Sequence, residues 1–202
     1  MLLAVSKGHS SCKIEKAYQA GLNDFGESYL QEALRKIKLI ANPSIRWHFI
    51  GPIQSNKARD IAVHFNWVHS VSRIKIAQLL NTYRSADMAP LNICLQVNFD
   101  SENSKAGVLP SDVEALARAI LQLPRLHLSG LMLIPKPEVD TTLQFHSFLR
   151  LKVLLQQLNQ TLGIDMKTLS MGMSNDFPAA ICAGSTIVRI GTALFGERQV
   201  NV

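Results

Sequence analysis

The chain has 202 residues, 47% hydrophobic and 18% charged, with 21 Lys and Arg against 15 Asp and Glu for a net charge of +6. This supplies a sizeable core and excludes a disordered chain, and the scattered charges exclude an acidic or basic tail. Cys12, Cys94 and Cys182 lie far apart without a CxxC, which excludes a zinc site and a disulfide framework and fits a reducing cytoplasm; no apolar run is long enough to span a membrane, and no basic signal-peptide segment precedes the first strand.

A short apolar run followed by a helical pattern recurs along the chain. "LLAVSK", 2–7, is a buried strand ending on Lys7, and "CKIEKAYQAG", 12–21, is a helix stopped by Gly21. "DFG", 24–26, is a second strand and 28–40 a second helix. Within that helix "RKIKL", 35–39, is the densest basic cluster, read as a solvated helix face. "WHFIG", 47–51, and "WVHSV", 67–71, are strands three and four, followed by helices over 57–65 and 74–83.

"LNICLQVNF", 91–99, alternates apolar residues as strand five. Ser111 and Glu114 then have the spacing of a capping box at the start of a helix running to Leu123. "LHLSGLMLI", 126–134, is strand six, and a long helix fills 142–162. "MKTLSMG", 166–172, a short helix over 178–183 and "TIVRIG", 186–191, complete the pattern, with "TALFG" opening a last helical turn. Eight such units imply parallel strands and a (β/α)8 barrel, read as one domain over 1–202. An open doubly wound sheet is the alternative, but "SKGHSSCK" lacks its Gly-rich phosphate loop.

In a barrel the active face lies at the C-terminal ends of the strands. Lys7 stands at such an end, either as a solvated lysine or as a partly desolvated amine that forms Schiff bases. Gly191 and Thr192 sit where the last strand meets a helix, and Ser170 and Ser174 bracket Gly172 at the seventh strand's exit; both places suit a phosphate. Each also reads as ordinary capping and turn chemistry, with Arg189 in a surface pair. The exits at 47–57 and 96–107 are polar too, and His48 reads as a hydrogen-bonded core histidine. No GxSxG, HExxH, P-loop or metal-ligand spacing is present. An amine and a phosphate cradle at one mouth fit a compound carrying both a carbonyl and a phosphate, of which pyridoxal 5′-phosphate (PLP) is the obvious candidate.

At "LLAVSK", "AYQAGLNDFGESYLQEA", "WHFIGPIQSNK", "PLNICLQVNFDSENSKAG", "LSGLMLIP" and "LSMGMSNDFPAAICAGSTIVRIGTALFG" the sequence resembles the pyridoxal phosphate homeostasis protein family, itself similar to the N-terminal barrel of alanine racemase. The resemblance covers nearly the whole chain. It implies that Lys7 forms the Schiff base with PLP, that Ser170, Ser174, Gly191 and Thr192 lie around the phosphate, and that Arg189 faces the pyridine nitrogen.

The resemblance further implies an intracellular, cytoplasmic protein without known catalysis, which holds PLP and passes it to apo PLP-dependent enzymes. The expected state is a monomer, with no nucleic-acid or membrane partner and no metal. The alternative is a racemase-like enzyme, whose class completes its site with a second, all-β domain and a tyrosine base. Here Tyr18, Tyr29 and Tyr83 all fall on expected helices, and the chain ends after the eighth unit. Three departures stand out. The family's usual helical segment ahead of "LLAVSK" is missing, so reduced stability or association is expected. Ser28 replaces the common asparagine, and Asn175 the usual acidic residue.

Overall fold

Each strand of a parallel sheet needs a crossover before the next, and the chain supplies a helix every time. The computed structural model describes residues 1–100 and 106–197, so part of the 96–107 strand exit and the last five residues of the expected domain lie outside the described residues. The order is β1 (Leu2–Val5), α1 (Ser11–Gln19), β2 (Asp24–Glu27), α2 (Leu30–Ile40), β3 (Arg46–Phe49), α3 (Ala58–His64) after a 3-10 turn over Ser55–Lys57, β4 (Trp67–Val71), α4 (Ile74–Tyr83), β5 (Leu91–Val97), α5 (Pro110–Ile120), β6 (Leu126–Leu133), α6 (Thr141–Leu162), β7 (Thr168–Ser170), α7 (Phe177–Cys182), β8 (Val188–Ile190) and α8 (Thr192–Phe195).

Neighbouring strands pair in parallel in the order β7-β6-β5-β4-β3-β2-β1-β8. The two ends then meet. Ser170 bridges Ile187, the Met171 N–H donates to the Ile187 carbonyl at 3.1 Å, and the Arg189 N–H donates to the Gly172 carbonyl at 2.9 Å. This closes a (β/α)8 barrel and rules out the open sheet.

Alternate strand residues face opposite sides. One set, including Phe25, Phe49, Val68, Ile93 and Leu131, packs outward with Ile14, Ile61, Leu80 and Phe148 of the helices into one hydrophobic cluster. Burying each such side chain is worth about 1.5–3 kcal/mol. The other set faces the barrel axis and carries the polar chemistry described below.

Helix ends bear out one expectation and correct another. Helix α1 stops in a Schellman motif: Gly21 has φ 96°, its N–H reaches the Tyr18 carbonyl, and the Leu22 N–H reaches that of Ala17. Gly21 therefore lies one residue past the C-cap Ala20. The capping box at Ser111 does not form. Pro110 occupies the first turn, where its missing N–H costs nothing, so Leu109 is the N-cap and Ser111 already lies inside the helix, its hydroxyl on Asp112 at 3.2 Å. Glu114 pairs instead with Arg118 one turn on. Helix α6 does carry a side-chain cap: Asp140 Oδ1 accepts from the N–H groups of Thr142 at 2.7 Å and Leu143 at 3.2 Å. In urea unfolding, Asp140→Ala is expected to cost about 1 kcal/mol, whereas Ser111→Ala stays within about 0.5 kcal/mol of the parent.

Candidate functional site

Strand β1 ends at Val5, so Lys7 does not close a strand: it stands in a turn in which Gly8 has φ 75° and the His9 N–H returns to the Ser6 carbonyl. Both neighbours of Lys7 are pinned. The Ser6 N–H donates to the Gly26 carbonyl at 3.0 Å, and its hydroxyl donates to Glu27 Oε1 at 2.7 Å. The Gly8 N–H donates to Glu32 Oε1 at 2.7 Å.

Lys36 joins these anchors. Its ammonium donates to the Ser6 carbonyl at 2.8 Å, to Glu27 Oε1 at 2.7 Å and to Glu32 Oε1 at 2.5 Å. The middle of "RKIKL" is thus not a solvated face: Lys36 is 6% exposed, because α2 turns it under the loop that carries Lys7. Burial raises the Glu27 carboxyl above its ordinary range, opposed by Lys36 and the Ser6 hydroxyl. Its Oε2 is buried without a hydrogen-bond partner among the described residues.

Across the closure, Gly172 has φ 93°, and a Cβ there would meet that of Ala180 at 2.6 Å, so glycine is required where the chain leaves β7. The following loop is held by Asp176, which accepts from the Met173 N–H at 2.6 Å, and Ser174 lies half-buried on it. Gly191 precedes α8 and Thr192 opens it. In a first helical turn the N–H groups, here of Thr192 and Ala193, have no intrahelical acceptor. Lys13 Nζ donates to the Phe195 carbonyl at 2.7 Å, tying α1 to α8. Because β8 pairs with β1 and meets β7, the loops bearing Lys7, Ser174, Gly191 and Thr192 share one sector of the mouth. The Ser28 carbonyl also reaches this end, packed so closely on Gly51 that any Cβ there would overlap it.

Ser170 and Arg189 lie lower, inside the barrel, 0% and 4% exposed. Arg189 is therefore not in a surface pair. Its Nη1 donates to the Ser170 carbonyl at 2.6 Å and to Ser170 Oγ at 3.0 Å, and its Nη2 donates to the Leu133 carbonyl at 2.9 Å. Burial pulls its pKa down to about 10, opposed by the field of Asp176, and pushes the neighbouring Cys94 thiol up to about 12.

From Ser170 a polar chain crosses the barrel. His69 Nδ1 lies 2.7 Å from Ser170 Oγ, His69 Nε2 3.0 Å from His48 Nδ1, and His48 Nε2 3.0 Å from Asp24 Oδ1. Arg46 clamps Asp24 from the other end at 2.7 and 2.6 Å. His48 is the hydrogen-bonded core histidine the sequence suggests, but Asp24 and the linkage through His69 were not visible there. The signal was parity: polar residues at alternate positions of otherwise apolar strands, brought level by the Gly26–His48 and His48–Trp67 registers. Among the described residues no group of three or more His, Cys, Asp or Glu is placed to hold a metal, and no helix is long and apolar enough to cross a membrane.

Burial lowers the pKa of His48, opposed by Asp24, and lowers that of His69 further, with His48 and Arg189 adding to the shift. Asp24 is held well below the usual carboxylate range: burial works against ionisation, but the hydrogen bonds from His48 and Arg46 outweigh it. All three bind protons more weakly folded than unfolded, so the stability they contribute is present at neutral pH and lost as pH falls. The melting temperature should drop below about pH 6.5, and again below about pH 4, the unfolded histidine and aspartate values. His69→Gln should flatten the first limb. The raised Glu27 acts in the opposite sense, favouring the fold at low pH. Lys36→Met, which strands two carboxylates, should cost about 3–5 kcal/mol in urea unfolding.

Residues 2–199 match the family model of the alanine racemase N-terminal domain. The chain is 58% identical over 198 residues to the "Pyridoxal phosphate homeostasis protein" of Pseudomonas aeruginosa, covering 98% of this chain and 84% of that one. The structure of PipY from Synechococcus elongatus with PLP bound superposes with a TM-score of 0.89 at 36% identity, over 97% of this chain and 92% of that one. Alanine racemase from Corynebacterium glutamicum shares the fold, with a TM-score of 0.69 at 20% identity over 99% of this chain and 57% of that one.

Proposed function

Since the chain belongs to the alanine racemase N-terminal-domain family and, within it, to the pyridoxal phosphate homeostasis proteins, we propose that it binds PLP at the barrel mouth and serves in its homeostasis and delivery. The observation that carries this reading is Arg189. It is a buried guanidinium, and among the described residues its hydrogen bonds go to neutral oxygens. A desolvated cation without a hydrogen-bonded carboxylate favours an electron-rich, anionic ligand above it. The donor set at the mouth fits the rest of PLP: an amine at Lys7, a hydroxyl at Ser174, and the hydroxyl and N–H groups of Thr192 and its turn beside Gly191 for the phosphate.

In this reading Lys7 is the covalent attachment point for the aldehyde, and its turn is immobilised by the Glu27–Lys36–Glu32 network. The bound cofactor supplies an aldehyde for that bond and a ring that withdraws electrons. Arg189 would face the ring nitrogen and, being a cation, would disfavour its protonation, which would weaken the ring as an electron sink. Ser170 supports Arg189 from below.

A carrier role is favoured over racemisation by the names of the relatives, and Tyr18 and Tyr83 lie towards the C-terminal ends of α1 and α4, away from the mouth. The protein would act in the cytoplasm as a monomer, with apo PLP-dependent enzymes as recipients. Adding PLP to the purified protein should produce a visible absorbance band that borohydride abolishes, leaving a pyridoxyl adduct on Lys7, and Lys7→Ala should show neither. Absence of band and adduct in the parent protein would exclude PLP binding through this lysine. Conversion of L-alanine to D-alanine above the Lys7→Ala background would favour the racemase.

A further inference from the structure

We propose that Asp24, His48 and His69 form a one-way hydrogen-bond chain that commits the Ser170 hydroxyl as an acceptor toward Arg189, making His69 a positioning residue for the arginine beneath the bound ligand. An ionised carboxylate only accepts, so Asp24 Oδ1 requires a proton on His48 Nε2, 3.0 Å away. A neutral His48 then presents a lone pair at Nδ1, so His69 must donate from Nε2 across 3.0 Å. That leaves His69 Nδ1 as acceptor, and the Ser170 hydroxyl donates to it across 2.7 Å. The proton of Ser170 being spent, its lone pairs face Arg189 Nη1 at 3.0 Å. Every donor in the chain points toward Asp24.

The opposite polarity requires a charged His48, donating from both nitrogens and driving His69 to donate to Ser170. Among the described residues, the charged and titratable groups facing the chain include Asp24 from β2, Arg46 from β3, Arg189 from β8 and Cys94 from β5, with Asp176 acting on Arg189 from the far side. A third cation in a fully buried position between Arg46 and Arg189 is disfavoured by burial and by repulsion. The neutral chain also bears on phosphate recognition, and here the inference rests on the PLP reading. Ser170 cannot donate to a phosphate while it donates to His69, so of the three hydroxyls expected around the phosphate only those of Ser174 and Thr192 are left to donate.

Long-range proton–nitrogen NMR of the 15N-labelled, ligand-free protein at neutral pH, with His48→Gln and His69→Gln used for assignment, reads the ring states directly. Both rings should be neutral and protonated at Nε2. An imidazolium, or an Nδ1–H ring at either residue, overturns the chain. PLP titration tests the positioning role. His69→Leu should weaken PLP binding about tenfold, the scale of one hydrogen bond to a charged group. His69→Asn, whose Oδ1 can still accept from Ser170, should stay within about threefold of the parent. Equal losses in both variants at equal melting temperature would make His69 a packing residue and overturn its positioning role. A parent protein that takes up no PLP overturns the functional reading and the positioning role with it, while the ring states still decide the chain.

Discussion

The junction between β7 and β8 is where a row of strands becomes a barrel. It rests on few hydrogen bonds, among them those from the Met171 and Arg189 N–H groups to the Ile187 and Gly172 carbonyls. Both strands are short, three residues each. The join brings the first, seventh and eighth strand ends into one sector, so a lysine near the start of the chain shares a mouth with a serine and a threonine near its end. It also sets the Arg189 guanidinium against Ser170. With β7 and β8 apart, the donors described here would lie on opposite edges of a sheet.

Two buried polar networks support that mouth, from different layers. In the helix–barrel layer, Lys36 gathers Glu27, Glu32 and the Ser6 carbonyl and so fixes the turn that carries Lys7. On the barrel axis, Asp24, His48, His69 and Ser170 reach Arg189. A buried charge is costly unless it is paired and hydrogen-bonded. Lys36 meets that condition with two carboxylates and a carbonyl. Arg189 meets only its second half, hydrogen-bonded among the described residues to neutral oxygens, which is why ligand chemistry is expected above it, whereas Lys36 serves structure.

Much of the architecture was legible from local signals. Apolar runs separated by helical patterns placed all eight strands, and β4 matches its expected span of 67–71. Ends were less legible. "LLAVSK" looks like a continuous strand, but Gly8 and the Ser6 carbonyl turn the chain after Val5. Ser111 and Glu114 have capping-box spacing, but Pro110 starts the helix first. In each case an adjacent residue with a stronger backbone preference decided the outcome.

The sequence by itself determined the number and order of the strands, the parallel connectivity, the placement of Lys7, Ser174, Gly191 and Thr192 at strand exits, and the family. These follow from periodicity and short-range motifs, which act over a few residues. Only the tertiary structure decided that Lys36 is buried, that Arg189 faces the barrel axis and not solvent, and that Asp24 is linked through two histidines to Ser170. Those facts depend on registers between strands far apart in the chain, up to the 101 residues between His69 and Ser170. A single residue's slip would turn every side chain of a strand to its other face, so no local pattern carries this information.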